Sequence, residues 1–261
     1  FASVCALDCP CDFARNASNS DSQLVRCMAF YEGRILGVAY WTEQGLTKDG
    51  VWMQRNGLPN ISMTHDFSAP SKESIHLGML ALALAQRVEA QVWTVASICQ
   101  ESKLSYDQCE DYATKHAVDV SLETLRRKMT SLEAWARNYP GYGGYLPWFI
   151  VDSNGQIAPV SPGWDHRIPA LDNGEMIWGL ISVAEALRNV PGKKAEMVRV
   201  RVESYLDLLA STAVAAFYNG AEHIRAVAFV KNASAFPDAS NFADVPGDSG
   251  VLNDPYEGEM F

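Results

Sequence analysis

The stretch that most constrains this chain is LGMLALALA, Leu77–Ala85. Ser71 after Pro70 supplies an N-cap, Glu73 lies in the acid-favouring first turn, and Ala and Leu are dense beyond it, so the pattern predicts a helix over Ser71–Ala96. Its middle is apolar around the whole circumference. A helix of that kind is buried on all sides and needs partners all round, of which this chain supplies few. Further helices are legible. Ser105 with Gln108 forms a capping-box signature that opens Tyr106–His116, and a separate helix follows with Leu122, Leu125, Met129, Leu132 and Trp135 at helical spacing. Gly174–Asn189 turns Ile177, Leu180, Ile181, Ala184 and Leu187 inward before Val190-Pro191-Gly192 stops it, and Lys193–Tyr218 runs to Asn219-Gly220. Leu24–Trp41 is apolar without a clean period, which leaves its type open. Thr42–Pro70 reads as loop, His223–Val230 as a short strand, and Ala233–Tyr256 as a long loop of the kind that usually carries function.

With 261 residues and 48% hydrophobic content, the chain has the apolar material for a large core. A formal charge of -10 disfavours nucleic acid and anionic membranes as partners, since both are bound through clustered Lys and Arg, and a neutral substrate fits better. The longest apolar runs, Leu77–Ala85 and Leu208–Tyr218, fall short of the roughly 20 residues that span a bilayer. Six cysteines occur, with Cys5, Cys9, Cys11 and Cys27 crowded at the start and Cys99 and Cys109 apart from them. Cys5, Cys9 and Cys11 lack the second thiol pair or histidines of a structural zinc site. Disulfides in an oxidising compartment are the better reading, with Cys99 and Cys109 placed to bridge two helices, and no metal or cofactor is expected. Three Asn-X-Ser sequons, at Asn16, Asn60 and Asn232, point the same way, to a secreted, N-glycosylated, extracellular protein. The start at Phe1 reads as processed, and the acidic, aromatic ending DPYEGEMF reads as the entry to a further helix rather than a terminus.

Functional chemistry concentrates in Tyr139–Glu175, YPGYGGYLPWFIVDSNGQIAPVSPGWDHRIPALDNGE. Tyr139, Tyr142, Tyr145, Trp148 and Phe149 alternate with Gly141, Gly143 and Gly144. Aromatic faces on such a backbone suit a carbohydrate cleft, and they suit equally a rigid plug in a helix layer. Trp164, Asp165, His166 and Arg167 bring an aromatic ring, a carboxylate, an imidazole and a guanidinium together. Asp172 and Glu175, three apart at a helix start, either present two carboxylates side by side or form an N-cap with its capping-box partner. His65 beside Asp66 reads as a surface loop, because adjacent loop residues seldom face one another.

GYGGYLPWF (Gly141–Phe149), PGWDHRIPALDNGE (Pro162–Glu175) and DPYEGE (Asp254–Glu259), in this order and spacing, resemble the fungal endo-β-1,2-glucanases. These are secreted inverting glycoside hydrolases with an (α/α)6 toroid, distantly similar to the bacterial β-1,2-glucanases. The resemblance runs over most of the chain and is weaker before Ser71. It implies an all-α fold with a few short strands and long loops. Residues 1–70 are then a Cys-containing arm with the first elements, and 71–261 the N-terminal part of a single catalytic domain. A complete toroid needs about twelve helices, roughly twice what this chain supplies, so the chain alone is expected to be inactive. By resemblance, β-1,2-glucan is the substrate and Asp172 and Glu175 line its cleft. Glu257 is then the general acid, acting through a substrate hydroxyl, and Glu259 is the competing choice. An inverting enzyme also needs a base about 6.5–9.5 Å from the acid, and no match to the family's base occurs before Phe261. A non-catalytic carbohydrate-binding protein, or a transglycosylase or phosphorylase acting on the same glucan, are the rival readings.

Overall fold

The computed structural model describes residues 22–39, 41–55, 59–220, 223–246 and 250. Six α-helices occur among these residues: α1 (Ser22–Ala39), α2 (Pro70–Leu84), α3 (Val88–Glu101), α4 (Tyr106–Asn138), α5 (Ala170–Leu187) and α6 (Lys193–Phe217). Short strands join them. β1 (Gly50–Met53) and β2 (Pro59–His65) form an antiparallel hairpin. A second antiparallel sheet has the order β3 (Phe67–Ser68), β4 (Phe149–Val151), β5 (Ile157–Pro159). A third has the order β6 (Arg167–Pro169), β7 (Val227–Val230), β8 (Phe242–Asp244).

The apolar helix behaves largely as its sequence demands. Leu77, Leu80, Ala81, Ala83 and Leu84 are buried, while Ile75 and Leu82 remain exposed among the described residues. It is shorter than the pattern predicts. Instead of one helix over Ser71–Ala96 there are two, because Gln86 takes φ 59° and the N–H groups of Gln86 and Arg87 close back on the carbonyls of Ala83 and Leu82. This is a left-handed helix stop made without its usual glycine, so no breaker marks it in the sequence. The opposite correction applies to α4. The expected pair of helices is one element of 33 residues, opened by the Ser105–Gln108 capping box. No Gly or Pro interrupts it.

The undecided stretch before Trp41 is α1, which buries Ala29, Phe30 and Arg34 against α3. Thr42–Pro70 carries the three strands β1, β2 and β3 rather than loop alone, and the strand expected at His223–Val230 begins at Val227. The long loop after Ala233 contains β8. Cys99 and Cys109 form a disulfide between the end of α3 and the first turn of α4. Cys5, Cys9, Cys11 and Asn16 lie outside the described residues, as does the side chain of Cys27.

The closest helix pair is α2 with α5, and the strands β3 and β6 lead directly into them. Gly179 permits this approach, since a Cβ there would stand 2.9 Å from Leu77 Cβ and 3.1 Å from the carbonyl oxygen of Ser74. α6 packs on α4 and α5, and the main core runs from Leu77 and Leu80 through Met129 and Trp135 to Leu180 and Val202. One ion pair lies inside. Lys128 and Glu73 are 0% and 1% exposed and bond directly to each other. Glu73 also accepts hydrogen bonds from Thr47 N at 2.7 Å and Thr47 Oγ1 at 2.8 Å. No helix of the described residues is long and apolar enough to cross a membrane.

Candidate functional site

The glycine-rich loop after α4 is held by its own carbonyls. Thr212 Oγ1 donates to Gly143 O at 2.9 Å, Tyr205 Oη to Gly144 O at 2.5 Å, and Trp135 Nε1 to Tyr145 O at 2.9 Å. Asn173, fully buried in α5, accepts from Leu146 N and donates to Leu146 O, both at 2.9 Å, and donates to Pro169 O at 2.7 Å. A bare glycine is required at Gly141, whose Cβ would fall 2.1 Å from the carbonyl oxygen of Asn232. Buried carbonyls need donors, and here neighbouring helices provide them side chain by side chain.

Two of the loop's aromatics go into that framework. Tyr142 and Tyr145 are 1% and 0% exposed. Tyr145 Oη donates to Leu209 O at 2.7 Å and Tyr142 Oη donates to Asp165 O, while burial pushes both phenols above their usual pKa. Their faces are packed against protein: Trp135 meets Tyr142 at 4.8 Å and Phe217 meets Tyr145 at 4.9 Å.

Trp148 takes a different path. Pairing of β3 with β4 sets Ser68 opposite Phe149 and brings the β1–β2 hairpin alongside, which builds a continuous series of rings. Trp148 stacks on Trp164 at 4.3 Å and on Phe67 at 5.6 Å; Phe67 meets His65 at 4.4 Å, and His65 meets Trp52 at 5.6 Å. Trp148 is thus stacked on two rings, and the series ends at the half-buried Trp164 and the 56% exposed Trp52. At its edge, Trp148 Nε1 donates to Asp172 Oδ2 at 2.7 Å.

Asp172 is not a helix cap. The helix begins at Ala170 with Pro169 as N-cap, and the freed N–H of Ala170 is satisfied by Ala226 O at 2.8 Å on the neighbouring segment. This removes the capping-box reading of Asp172 and Glu175. Asp172 sits in the positive first turn of α5 and Glu175 three residues on, on the same side of the helix, and both are half-buried.

The second loop is equally fixed. Asp165 accepts from Gly163 N at 3.1 Å, and that N–H, followed by its own N–H, holds the carboxyl below the usual range. His166 Nδ1 lies 2.8 Å from Val230 O, so it carries the proton and leaves Nε2 as an acceptor. The half-buried Arg167 guanidinium makes no hydrogen bond or ion pair among the described residues. Hydrogen bonds and ring stacking thus bring Trp148, Trp164 and Asp172 together, and the helix places Glu175 beside them. Glu257 and Glu259 lie outside the described residues.

Sequence reasoning passed over Phe67 and Asn173 and set His65 aside as part of a surface loop. His65 sits on β2 and bonds Asp49 Oδ2 at 3.0 Å, whereas its neighbour Asp66 bonds Thr64 and Lys48. Alternation along NISMTHDF was the available signal, since it places His65 and Phe67 on one side of an extended chain. Asn60 lies on β2 and Asn232 in an exposed turn. A cavity of about 380 Å3 between α4 and α6, bordered by Glu123, Arg126, Lys194 and Arg201, involves none of the site residues. No group of His, Cys, Asp and Glu that could hold a metal occurs among the described residues.

Solved structures share the fold. The endo-β-1,2-glucanase from Talaromyces funiculosus, as a glutamate-to-glutamine mutant in complex with β-1,2-glucan, superposes with a TM-score of 0.78 at 27% sequence identity. Its complex with sophorose gives 0.77 at 26% identity. In each case 95% of this chain is covered but only 47% of the other, so the chain spans about half the length of these neighbours. No protein of curated function matches it. The sequence model described as Endo-beta-1,2-glucanase SGL matches residues 46–261, a span that takes in the aromatic series, both loops, Asp172 and Glu175, and the acidic YEGE segment, and the chain belongs to that family.

Proposed function

We propose that this chain contributes one wall of the active site of a secreted, inverting glycoside hydrolase that cleaves β-1,2-glucan to β-1,2-gluco-oligosaccharides. Its helices belong to an (α/α)6 domain, with residues 1–70 as the leading arm. Asp172 and Glu175 line the cleft and bind sugar hydroxyls. Trp148 orients Asp172, Trp164 offers a free face to a sugar ring, and Arg167 and His166 Nε2 add a donor and an acceptor. Tyr142 and Tyr145 support this surface from behind. Glu257 delivers the proton to the leaving group, with Glu259 as the alternative acid, while a second carboxylate across the scissile bond activates water. N-glycans are carried at Asn16, Asn60 and Asn232.

The observation that carries this reading is the family match across residues 46–261, a span that includes Asp172, Glu175, Glu257 and Glu259. It is supported by the bond between Trp148 Nε1 and Asp172 Oδ2, which holds a carboxylate at the mouth of an aromatic surface. The test is release of reducing ends from linear β-1,2-glucan by the protein expressed from its complete reading frame. Glu257→Gln is expected to cut kcat at least a hundredfold, about the contribution of one general acid. Binding of glucan without turnover, unaltered by Glu257→Gln, would instead mark a carbohydrate-binding protein. Products that depend on added phosphate would mark a phosphorylase.

A further inference from the structure

His76, on α2, plays no part in the site described above. Its imidazole is 2% exposed, and neither Nδ1 nor Nε2 has a hydrogen-bond partner. It stacks on Trp41 at 4.8 Å with planes 7° apart and meets Trp93 at 6.0 Å, while Trp41 meets Trp93 edge-on at 4.8 Å. Burial, with the nearby Lys128 charge, keeps the ring neutral. A neutral imidazole has one N–H to donate and one nitrogen to accept with, and each left unpaired in the interior costs about 1–3 kcal/mol. Phe would fill the same space without that cost. An imidazole here therefore calls for a polar atom that occupies the site part of the time.

His76 also lines a cavity of about 200 Å3, with both ring nitrogens closed off from it in this structure. Trp41, Trp93 and Ile75 make its apolar side, and Thr47, Asp49 and Lys72 its polar side. At about 30 Å3 per water the space takes roughly half a dozen waters, or one sugar ring. Its charges are already matched: Lys72 lies 3.6 Å from Asp49, and Lys48, also on the wall, pairs with Asp66 at 3.1 Å. Such a rim favours an uncharged polyhydroxyl ligand over an ion, and indole walls suit the C–H face of a sugar.

We propose that this cavity binds a single glucosyl unit of a β-1,2-linked oligosaccharide at a site separate from the Asp172–Glu175 cleft. Trp41 and Trp93 form its apolar wall, and a small movement of this wall on binding opens the closed-off His76 nitrogens to the ring hydroxyls. The assignment of a glucosyl ligand rests on the glucan reading of the cleft. The two places are joined by continuous contacts: Asp49 bonds His65 Nδ1 at 3.0 Å, His65 packs on Phe67, and Phe67 stacks on Trp148. A chain held at His76 thus sits at the far end of the aromatic series that leads to Asp172.

The test is titration of sophorose into the complete protein, with the histidine ring signals followed by NMR and that of His76 assigned through His76→Phe. The expected result is a saturable shift of the His76 signal that persists in Asp172→Asn. Affinity at this site should fall at least tenfold in His76→Phe and severalfold in Lys72→Met, a surface change that leaves the core intact. A His76 signal that stays still while sophorose still binds in a manner sensitive to Asp172→Asn overturns the second site and leaves the cleft standing. A His76 shift abolished by Asp172→Asn also overturns it, because the signal then originates in the cleft. If sophorose moves no signal and glucan is not cleaved, the second site and the glucan reading both fall.

Discussion

Trp148 Nε1 donates a hydrogen bond to Asp172 Oδ2 at 2.7 Å, and this contact ties the glycine-rich loop to the first turn of α5. Everything behind it is fixed. Asn173, next to Asp172, clamps both backbone groups of Leu146, and Trp135, Tyr205 and Thr212 hold the intervening carbonyls. With Phe67 and Trp164 both stacked on it, the indole is held by packing, and its N–H is directed at Asp172. That direction orients a carboxylate.

Trp148→Phe therefore separates orientation from packing. Phe keeps a ring between Phe67 and Trp164 and removes the donor to Asp172. The expected outcome is near-native thermal stability with kcat/KM on β-1,2-glucan lowered about tenfold, the worth of one hydrogen bond to a charged group. Trp148→Ala, which also opens the stack, should lower both. Steady-state kinetics and a thermal melt on the same samples check this.

Lys128→Met tests the buried pair. Met matches the volume but leaves the buried Glu73 carboxyl without its cation and with only Thr47 for company, at a cost of about 3–5 kcal/mol in urea unfolding. Adding Glu73→Gln, which removes the charge and keeps an acceptor for Thr47 N, should recover more than half of that loss. A double variant as unstable as the single one would show that the pair does more than neutralise itself.

His76 makes stability depend on pH in a definite direction. Above the ordinary histidine value of about 6.5 the ring is neutral in both folded and unfolded chains, and it contributes no pH dependence. Burial depresses the folded pKa well below that value, so on acidification the unfolded chain takes up a proton that the folded one refuses. Stability should fall by up to about 1.4 kcal/mol per pH unit between pH ~6.5 and ~5. Urea unfolding at three pH values in that window should show a shallower slope for His76→Phe, which should also be the more stable protein at pH 5.

Local signals carried the helices well and the site only in part. The apolar run in α2, the capping box at Ser105 and the Cys99–Cys109 bridge are short-range features, and the residues declare them. The stop at Gln86 was not declared, because it uses a non-glycine residue in a left-handed conformation. The start of α5 was misplaced by four residues, at Gly174 instead of Ala170, because its first N–H is satisfied by Ala226, more than fifty positions away. The aromatic series depends on β3 meeting β4 across some eighty residues, and no periodicity encodes that pairing. For the same reason the sequence could not separate Trp148, set against Asp172, from Tyr142 and Tyr145, set into the core: all three look alike between glycines and prolines.

The central claim, hydrolysis of β-1,2-glucan with inversion, is tested most directly by NMR of the first turnover of linear β-1,2-glucan by the complete protein. New reducing ends should appear first as the α-anomer and only later equilibrate, with no signal from Glu257→Gln on the same timescale. Reducing ends that appear first as the β-anomer, or glucan that stays intact, would contradict it.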